Sequence, residues 1–163
     1  MTDFNITIPG EVVGKQVIVV VFGRGEKARP SIGTSKKSKA ALKRYRQAIR
    51  IQAGVDRWES LDCPVDVHVR AFIDIRQSYS ARKTQALLSG PCTAFPDADN
   101  IAKMVLDALV GEKIKGTGRT YEQVVIADDK LVTDLQVTKR WCEIGQERLE
   151  ITVSPVVWTA NLI

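Results

Sequence analysis

The chain is short of the residues from which disulfide frameworks and zinc sites are built. Its 163 residues include three cysteines, Cys63, Cys92 and Cys142, and one histidine, His68. The cysteines are odd in number and widely spaced, and no Cys-x-x-Cys pair occurs, so neither a disulfide framework nor a zinc site is indicated. His68 lacks a second histidine nearby, and Asp66 is its only carboxylate neighbour at ligand spacing. We therefore interpret His68 as structural.

Long apolar runs are also absent. No uninterrupted apolar stretch is long enough to span a bilayer, and residues 1–4 lack the basic-then-apolar layout of a signal peptide. We therefore expect a cytoplasmic protein. The length suits one domain, residues 1–163, that buries a core without disulfide or metal staples.

Acidic residues are scarce in one segment of the chain. Of the 24 basic and 19 acidic residues, ten basic residues and a single acid, Glu26, lie between residues 24 and 50. The remainder is net acidic, and a basic segment on an acidic body indicates a polyanionic partner, DNA ahead of membrane. A solvated basic helix face is the alternative interpretation. The candidate DNA contacts in this segment are Arg24, Lys27, Arg29, Lys36, Lys37, Lys39, Lys43, Arg46 and Arg50.

Hydrophobic periodicity predicts a single α+β domain. Its mixed β-sheet has about five or six strands and is backed by two main helices. The first helix follows Ser35 or Ser38 and ends at Gly54, and together with a flexible basic loop before it forms a basic unit over residues 23–54. The predicted strands cover residues 4–8, 17–22, 65–75, 131–141 and 148–153, with hairpins joining the first two and, at Gly145-Gln146, the last two. A short helix and a loop fit residues 76–89 equally well.

The second helix begins near Asp97 and carries the candidate chemistry. Asp97 and Asp99 lie within its first turn, and Lys103 and Asp107 follow Asp99 at steps of four on a polar ridge. One interpretation makes the two aspartates an N-cap and a complement to the helix dipole. The other places a cation between them, because two carboxylates this close repel each other.

A second acidic pair, Asp128 and Asp129, occurs at a predicted turn before a strand. Four carboxylates with no histidine or cysteine nearby favour a hard cation, Mg²⁺ or Mn²⁺, bound by Asp97, Asp99, Asp128 and Asp129. Such a cation lowers the pKa of a bound water and offsets charge on phosphoryl oxygens. Lys103 could contact the transition state, or it could form an ordinary ion pair with Asp99 or Asp107.

The glycine-rich segment 111–120 lacks the order of a P-loop, so no nucleotide cofactor is expected.

The chain resembles the RusA-type Holliday-junction resolvases. The resemblance lies in Pro-Asp-Ala-Asp-Asn-Ile-Ala-Lys at residues 96–103, Leu-Asp-Ala-Leu-Val-Gly at 106–111, Asp128-Asp129 and Lys139, and so covers a catalytic core of residues 96–139. It implies a homodimeric, Mg²⁺-dependent endonuclease that makes paired nicks in four-way DNA. Asp97, Asp99 and Asp129 match the essential metal-binding aspartates.

The same resemblance matches Lys103 to the catalytic lysine, Asp128 to the neighbouring acid and Lys139 to a recurrent lysine, which we count among the DNA contacts. Two positions depart from the family pattern. The connector from Gly111 to Asp128 is longer than expected, and Leu131 stands where glutamine is frequent. Both departures concern substrate choice more than chemistry.

The resemblance therefore implies a structure-specific endodeoxyribonuclease that acts in DNA recombination and repair. Two alternatives stay open at this point: a branched-DNA-binding protein without turnover, and a nuclease of broader flap or RNA specificity.

Overall fold

A computed structural model of the chain describes residues 2–22, 29–113, 120–121 and 125–157. Its strands are β1 (Phe4–Pro9), β2 (Val17–Phe22), β3 (Arg29–Thr34), β4 (Val65–Asp74), β5 (Glu112–Lys113), β6 (Thr120–Tyr121), β7 (Val132–Cys142) and β8 (Arg148–Pro155). Its helices are α1 (Lys36–Asp56), α2 (Ala81–Leu88) and α3 (Ala98–Leu109), with a 3₁₀ turn at Asp129–Leu131.

The main sheet has the order β1-β8-β4-β7 and is mixed. β8 pairs antiparallel with both β1 and β4, whereas β4 and β7 are parallel. Parallel neighbours need a crossover connection, and the chain between them contains α2 and α3. The predicted α+β class with a mixed sheet is confirmed. In the described residues the main sheet has four strands rather than five or six, because β2 pairs with β3 and β5 with β6 in separate two-stranded sheets.

The core lies on one face of the main sheet. Alternate residues of β4, from Val65 to Ile73, are buried, and the same holds for Leu149, Ile151 and Val153 of β8. α1 and α3 cover this face with one apolar stripe each, as the helical spacing predicts. The buried helix residues are Ala41, Tyr45, Ile49 and Ala53 of α1 and Ile101, Met104, Val105, Ala108 and Leu109 of α3.

Both predicted hairpins are wrong. β1 pairs with β8, and β2 pairs with β3, a strand inside the segment expected to be a loop. The chain leaves the sheet after β1 because Val12 and Val13 are buried and the Val13 amide donates to Tyr45 Oη at 2.9 Å. Towards the C-terminal end of the chain, β4 lies between β7 and β8 in the sheet, so the turn at Gly145-Gln146 does not join paired strands.

α1 begins and ends close to the predicted positions. Ser35 caps its first turn by accepting a hydrogen bond from the Ser38 amide at 3.1 Å. The helix runs past Gly54 to Asp56 and ends at Arg57, whose backbone is left-handed with φ of 51°. The segment that fitted a helix or a loop contains α2, capped by Ser80.

Candidate active site

Asp97 and Asp99 lie at the start of α3, as predicted. Asp97 occupies the N-cap position, but its side chain makes no capping hydrogen bond. Both aspartates are exposed. The Asp97 carboxylate therefore does not fill the capping role that one interpretation gave it, and it faces solvent with its oxygens available.

Lys103 is paired with Asp99. Its Nζ donates to Asp99 Oδ2 at 3.0 Å, one helical turn away. This hydrogen bond lowers the pKa of the Asp99 carboxyl below its ordinary value. A positive charge and an ionised carboxylate therefore lie side by side near the uncapped Asp97.

The loop that leads into Asp97 is fastened to the sheet by Lys139. The Lys139 ammonium donates to the carbonyl oxygens of Ala94 and of Pro96, the latter at 3.0 Å. The Phe95-Pro96 peptide bond between these two contacts is cis. The structure directs the Lys139 ammonium toward the backbone that precedes Asp97, and the predicted contact of Lys139 with DNA stays a prediction.

A second contact fixes the first turn of α3. The Lys15 amide donates to the Asn100 carbonyl at 2.8 Å. A Cβ atom added at Gly14 would lie 2.8 Å from Asn100 Cβ and 2.9 Å from Pro96 Cβ, so only glycine permits this approach. Sequence reasoning missed this role, because a single glycine after an apolar pair carries no signal of what it will touch.

Asp107, which the sequence left without a role, is structural. Its Oδ2 accepts from Lys15 Nζ at 2.6 Å, and its carbonyl oxygen accepts from Arg46 Nε at 3.3 Å. The polar ridge of α3 is therefore divided. Its first turn faces solvent, and its last turn is tied to α1 and to the segment after β1.

Asp128 and Asp129 lie at the start of the 3₁₀ turn before β7. The Asp128 side chain accepts from the Lys130 amide at 3.0 Å and so caps this turn. Asp129 is exposed. Just before them, the amides of Val125 and Ile126 donate to the carbonyl of Leu109, at 3.0 and 3.5 Å. The second acidic pair therefore lies near the C-terminal end of α3.

The two acidic pairs lie at opposite ends of α3. The contact from Lys139 lies before the N-terminal end of α3, and the contacts from Val125 and Ile126 lie at its C-terminal end. The twelve residues of α3 span about 18 Å at 1.5 Å per residue. Within the described ranges, no three histidine, cysteine, aspartate or glutamate residues are placed to hold one metal ion. One chain thus presents two separate acidic pairs, and carboxylate oxygens are the donors that suit a hard cation.

The predicted basic stripe lies along α1. An open groove of about 770 Å³ runs beside it, lined by Lys39, Leu42, Lys43, Arg46, Gln47 and Arg50. Lys39, Lys43 and Arg50 are exposed, whereas Arg46 donates to the carbonyls of Asp107 and Gly111.

The start of α1 is basic as well. Its first turn contains Lys36 and Lys37 and no acid, which favours an anion because the helix dipole is positive there. The Lys37 ammonium is already paired with Glu11. Arg29 belongs to β3, and Arg24 and Lys27 lie outside the described residues.

Residues 24–154 match the family model for the endodeoxyribonuclease RusA. The chain belongs to the RusA endodeoxyribonuclease family. Comparison with curated proteins gave no significant match. The matched region contains both acidic pairs, Lys103, Lys139 and the basic helix α1.

As a RusA-family member, the chain is an endodeoxyribonuclease of the Holliday-junction resolvase type, and its family acts on branched DNA. RusA-family nucleases generally depend on a divalent metal. No described helix is both long and apolar enough to cross a membrane.

Proposed function

We propose that the protein is a Mg²⁺-dependent endonuclease that resolves Holliday junctions by paired nicks in opposed strands, with Mn²⁺ as a substitute metal. It acts in the cytoplasm on DNA undergoing recombination and repair. The observation that carries this proposal is the exposed, uncapped Asp97 carboxylate beside the Asp99–Lys103 pair in a chain of the RusA family.

Each residue at the start of α3 has a role in this proposal. Asp97 and Asp99 bind the cation, and Asp129 and Asp128 complete the set of oxygen donors. The cation would supply a water of lowered pKa and offset charge on the phosphate. Lys103 lowers the pKa of the Asp99 carboxyl through their hydrogen bond and directs its own positive charge at the attacked phosphate.

The separation of the acidic pairs supports a homodimer. Ligands of one metal ion lie within a few ångströms of each other, and the length of α3 keeps the two pairs of one chain apart. We propose that Asp97 and Asp99 of one protomer meet Asp128 and Asp129 of a second copy. Two-fold symmetry then creates two identical sites, which suits opposed cuts in a symmetric junction.

The test is cleavage of a four-way junction by the full chain, with Mg²⁺ and with a chelator. We expect cleavage only with the metal, and loss of cleavage in Asp97→Asn, Asp99→Asn and Asp129→Asn. Asp134→Asn is the matched control, since Asp134 is an exposed aspartate of β7 outside the candidate set. Nicking that survives both the chelator and the substitutions would overturn the metal site.

Mixing two inactive variants tests the shared site. In a mixed dimer of Asp97→Asn and Asp129→Asn protomers, one composite site keeps Asp97 from one chain and Asp129 from the other. We expect this mixture to nick one strand, whereas sites built within a single chain would leave it inactive. Junction binding without any nicking by the unmodified protein would instead identify a non-catalytic binding protein.

A further inference from the structure

A cavity of about 550 Å³ lies beside the loop that leads into Asp97 and has no place in the metal site. It is bounded by the segment after β4, by α2, by residues 93–95 and by Trp141 of β7. Its size falls within the range of about 300–1,000 Å³ that is usual for small-ligand pockets. The cavity therefore has room for one nucleotide.

Two cations line this cavity. Lys83 Nζ lies 3.6 Å from the centre of the Tyr79 ring, which holds the ammonium at the cavity wall. Arg76 is exposed, and its guanidinium has no hydrogen bond or ion pair within the described part of the chain. One acid, Asp74, also lines the cavity, but its carboxylate accepts from the Gly145 amide at 2.8 Å and from Cys142 Sγ at 3.2 Å.

Besides Tyr79, two aromatic side chains line the cavity, Phe95 and Trp141. Phe95 is 57% exposed, a large fraction for a phenylalanine. Trp141 is half-buried, and its indole N–H donates to the Pro91 carbonyl at 3.1 Å. Trp141 and Lys139 lie two residues apart on β7 and both hold the loop that runs from Pro91 to Pro96. The aromatic wall is therefore fixed to the same backbone as Asp97.

We infer that this cavity receives one unstacked nucleotide from the branch point of the DNA, an inference that rests on the proposed function. Phe95 stacks on the base, while Arg76 and Lys83 bind the neighbouring phosphates. Exposed aromatic rings beside cations are the usual means of binding unpaired nucleotides. A base at a branch point costs less to unstack than one inside a duplex, so the cavity favours junctions over linear DNA.

The test compares binding of a four-way junction and of a linear duplex of the same sequence, in EDTA so that no cleavage occurs. Phe95→Ala is expected to weaken junction binding about 10-fold and to leave duplex binding unchanged, because a base is unstacked into the cavity at the branch point and not from the intact duplex. Arg76→Gln with Lys83→Gln is expected to weaken junction binding and to reduce its salt slope by about 2, as loss of two phosphate contacts requires.

Arg82→Gln is the matched control, since Arg82 is exposed on α2 beside Lys83 and does not line the cavity. Equal loss of junction and duplex binding in Phe95→Ala, or no loss of either, would refute the inference, as would equal effects of the Arg82 and Arg76/Lys83 variants. Because binding is measured without metal, the cavity and the nuclease activity are tested separately. A protein whose junction binding depends on Phe95 but which never nicks DNA would refute the proposed hydrolysis and leave the cavity inference intact. A protein that nicks normally but binds independently of Phe95 refutes only the cavity.

Discussion

Lys103 Nζ and Asp99 Oδ2 lie 3.0 Å apart on the solvent side of α3. The two side chains are 60% and 63% exposed, and pairs exposed to this degree contribute little to folding stability. Loss of this contact should therefore reveal the chemical role of Lys103 without disturbing the fold.

We predict that Lys103→Met lowers the single-turnover rate of junction cleavage by about 100-fold or more, the typical effect of removing one donor that stabilises transition-state charge. The thermal unfolding temperature should not change. Lys103→Arg keeps the positive charge and should retain part of the activity. A Lys103→Met variant that cleaves at the normal rate would show that Lys103 only forms a surface ion pair with Asp99.

The Lys139 contacts predict a different combination of effects. Its ammonium donates to the Ala94 and Pro96 carbonyls from a half-buried position. Lys139→Met should reduce the free energy of unfolding by about 1–3 kcal/mol, the usual contribution of hydrogen bonds to a charged group.

Lys139→Met should also slow cleavage more than it weakens junction binding, because the loop before Asp97 loses its anchor. Urea unfolding and single-turnover kinetics measure the two effects. Arg140→Met is the control, since the side chain of this exposed neighbour makes no hydrogen bond or ion pair with any described residue. If Lys139→Met chiefly weakened binding, the lysine would be a DNA contact, as the sequence indicated.

Gly14 tests how tightly the start of α3 is held. In Gly14→Ala the new methyl group would overlap Pro96 and Asn100 and lie 3.1 Å from the Asn100 carbonyl carbon, so the backbone must move. We expect lower stability by about 1–3 kcal/mol, typical of overpacking, and slower cleavage. Gly145→Ala controls for backbone strain, because Gly145 has φ of 82° but no atom within 4 Å of an added Cβ.

The basic residues of α1 should separate into two classes. Lys39 and Lys43 are exposed along the groove, so Lys39→Gln with Lys43→Gln should weaken junction binding and reduce its salt slope by about 2. Arg46→Met should reduce stability instead, because Arg46 donates to the Asp107 and Gly111 carbonyls at the C-terminal end of α3. Equal salt slopes for the lysine variant and the unmodified protein would show that the basic stripe is a solvated helix face that does not contact DNA.

Glu147 predicts a pH dependence of stability. Burial raises the pKa of its carboxyl above the ordinary 4.5, although the Val12 amide donates to Oε1 at 2.7 Å. The folded state therefore holds this proton more tightly than the unfolded state does. The stabilising contribution of the protonated Glu147 carboxyl is fully present below pH 4.5 and is lost as the pH rises through the folded-state pKa.

Glu147→Gln removes this charge and keeps an acceptor for Val12. Relative to the unmodified protein, the variant should gain stability as the pH rises above 4.5 and then level off. Urea unfolding at several pH values measures this difference. A difference that is constant with pH would show that Glu147 titrates alike in both states.

Local patterns in the sequence predicted the elements better than their partners. The alternation in β4 and the apolar stripes of α1 and α3 are properties of short segments, and the structure has all three. Pairing depends on contacts between distant residues, such as Phe4 opposite Val153, so both hairpins were placed incorrectly. β3 was missed because Pro30 and Gly33 are typical of loops.

The candidate site shows the same division. The position of Asp97 and Asp99 at the start of α3 follows from local signals, and the structure agrees. The separation of this pair from Asp128 and Asp129 depends on the direction of α3 relative to β7, which no short pattern encodes. The assignment of the four aspartates to one metal ion stays a prediction, and its test requires the assembled protein.

β7 has a further consequence for the evolution and engineering of this protein. The strand begins just after Asp129 and presents Lys139 and Trp141 to the loop before Asp97. Successive side chains of a strand point to opposite faces, so inserting one residue within β7 would turn Lys139 and Trp141 away from that loop. The length of β7 is thus under stricter constraint than its composition, and natural variants should tolerate substitutions along it far better than single-residue insertions or deletions.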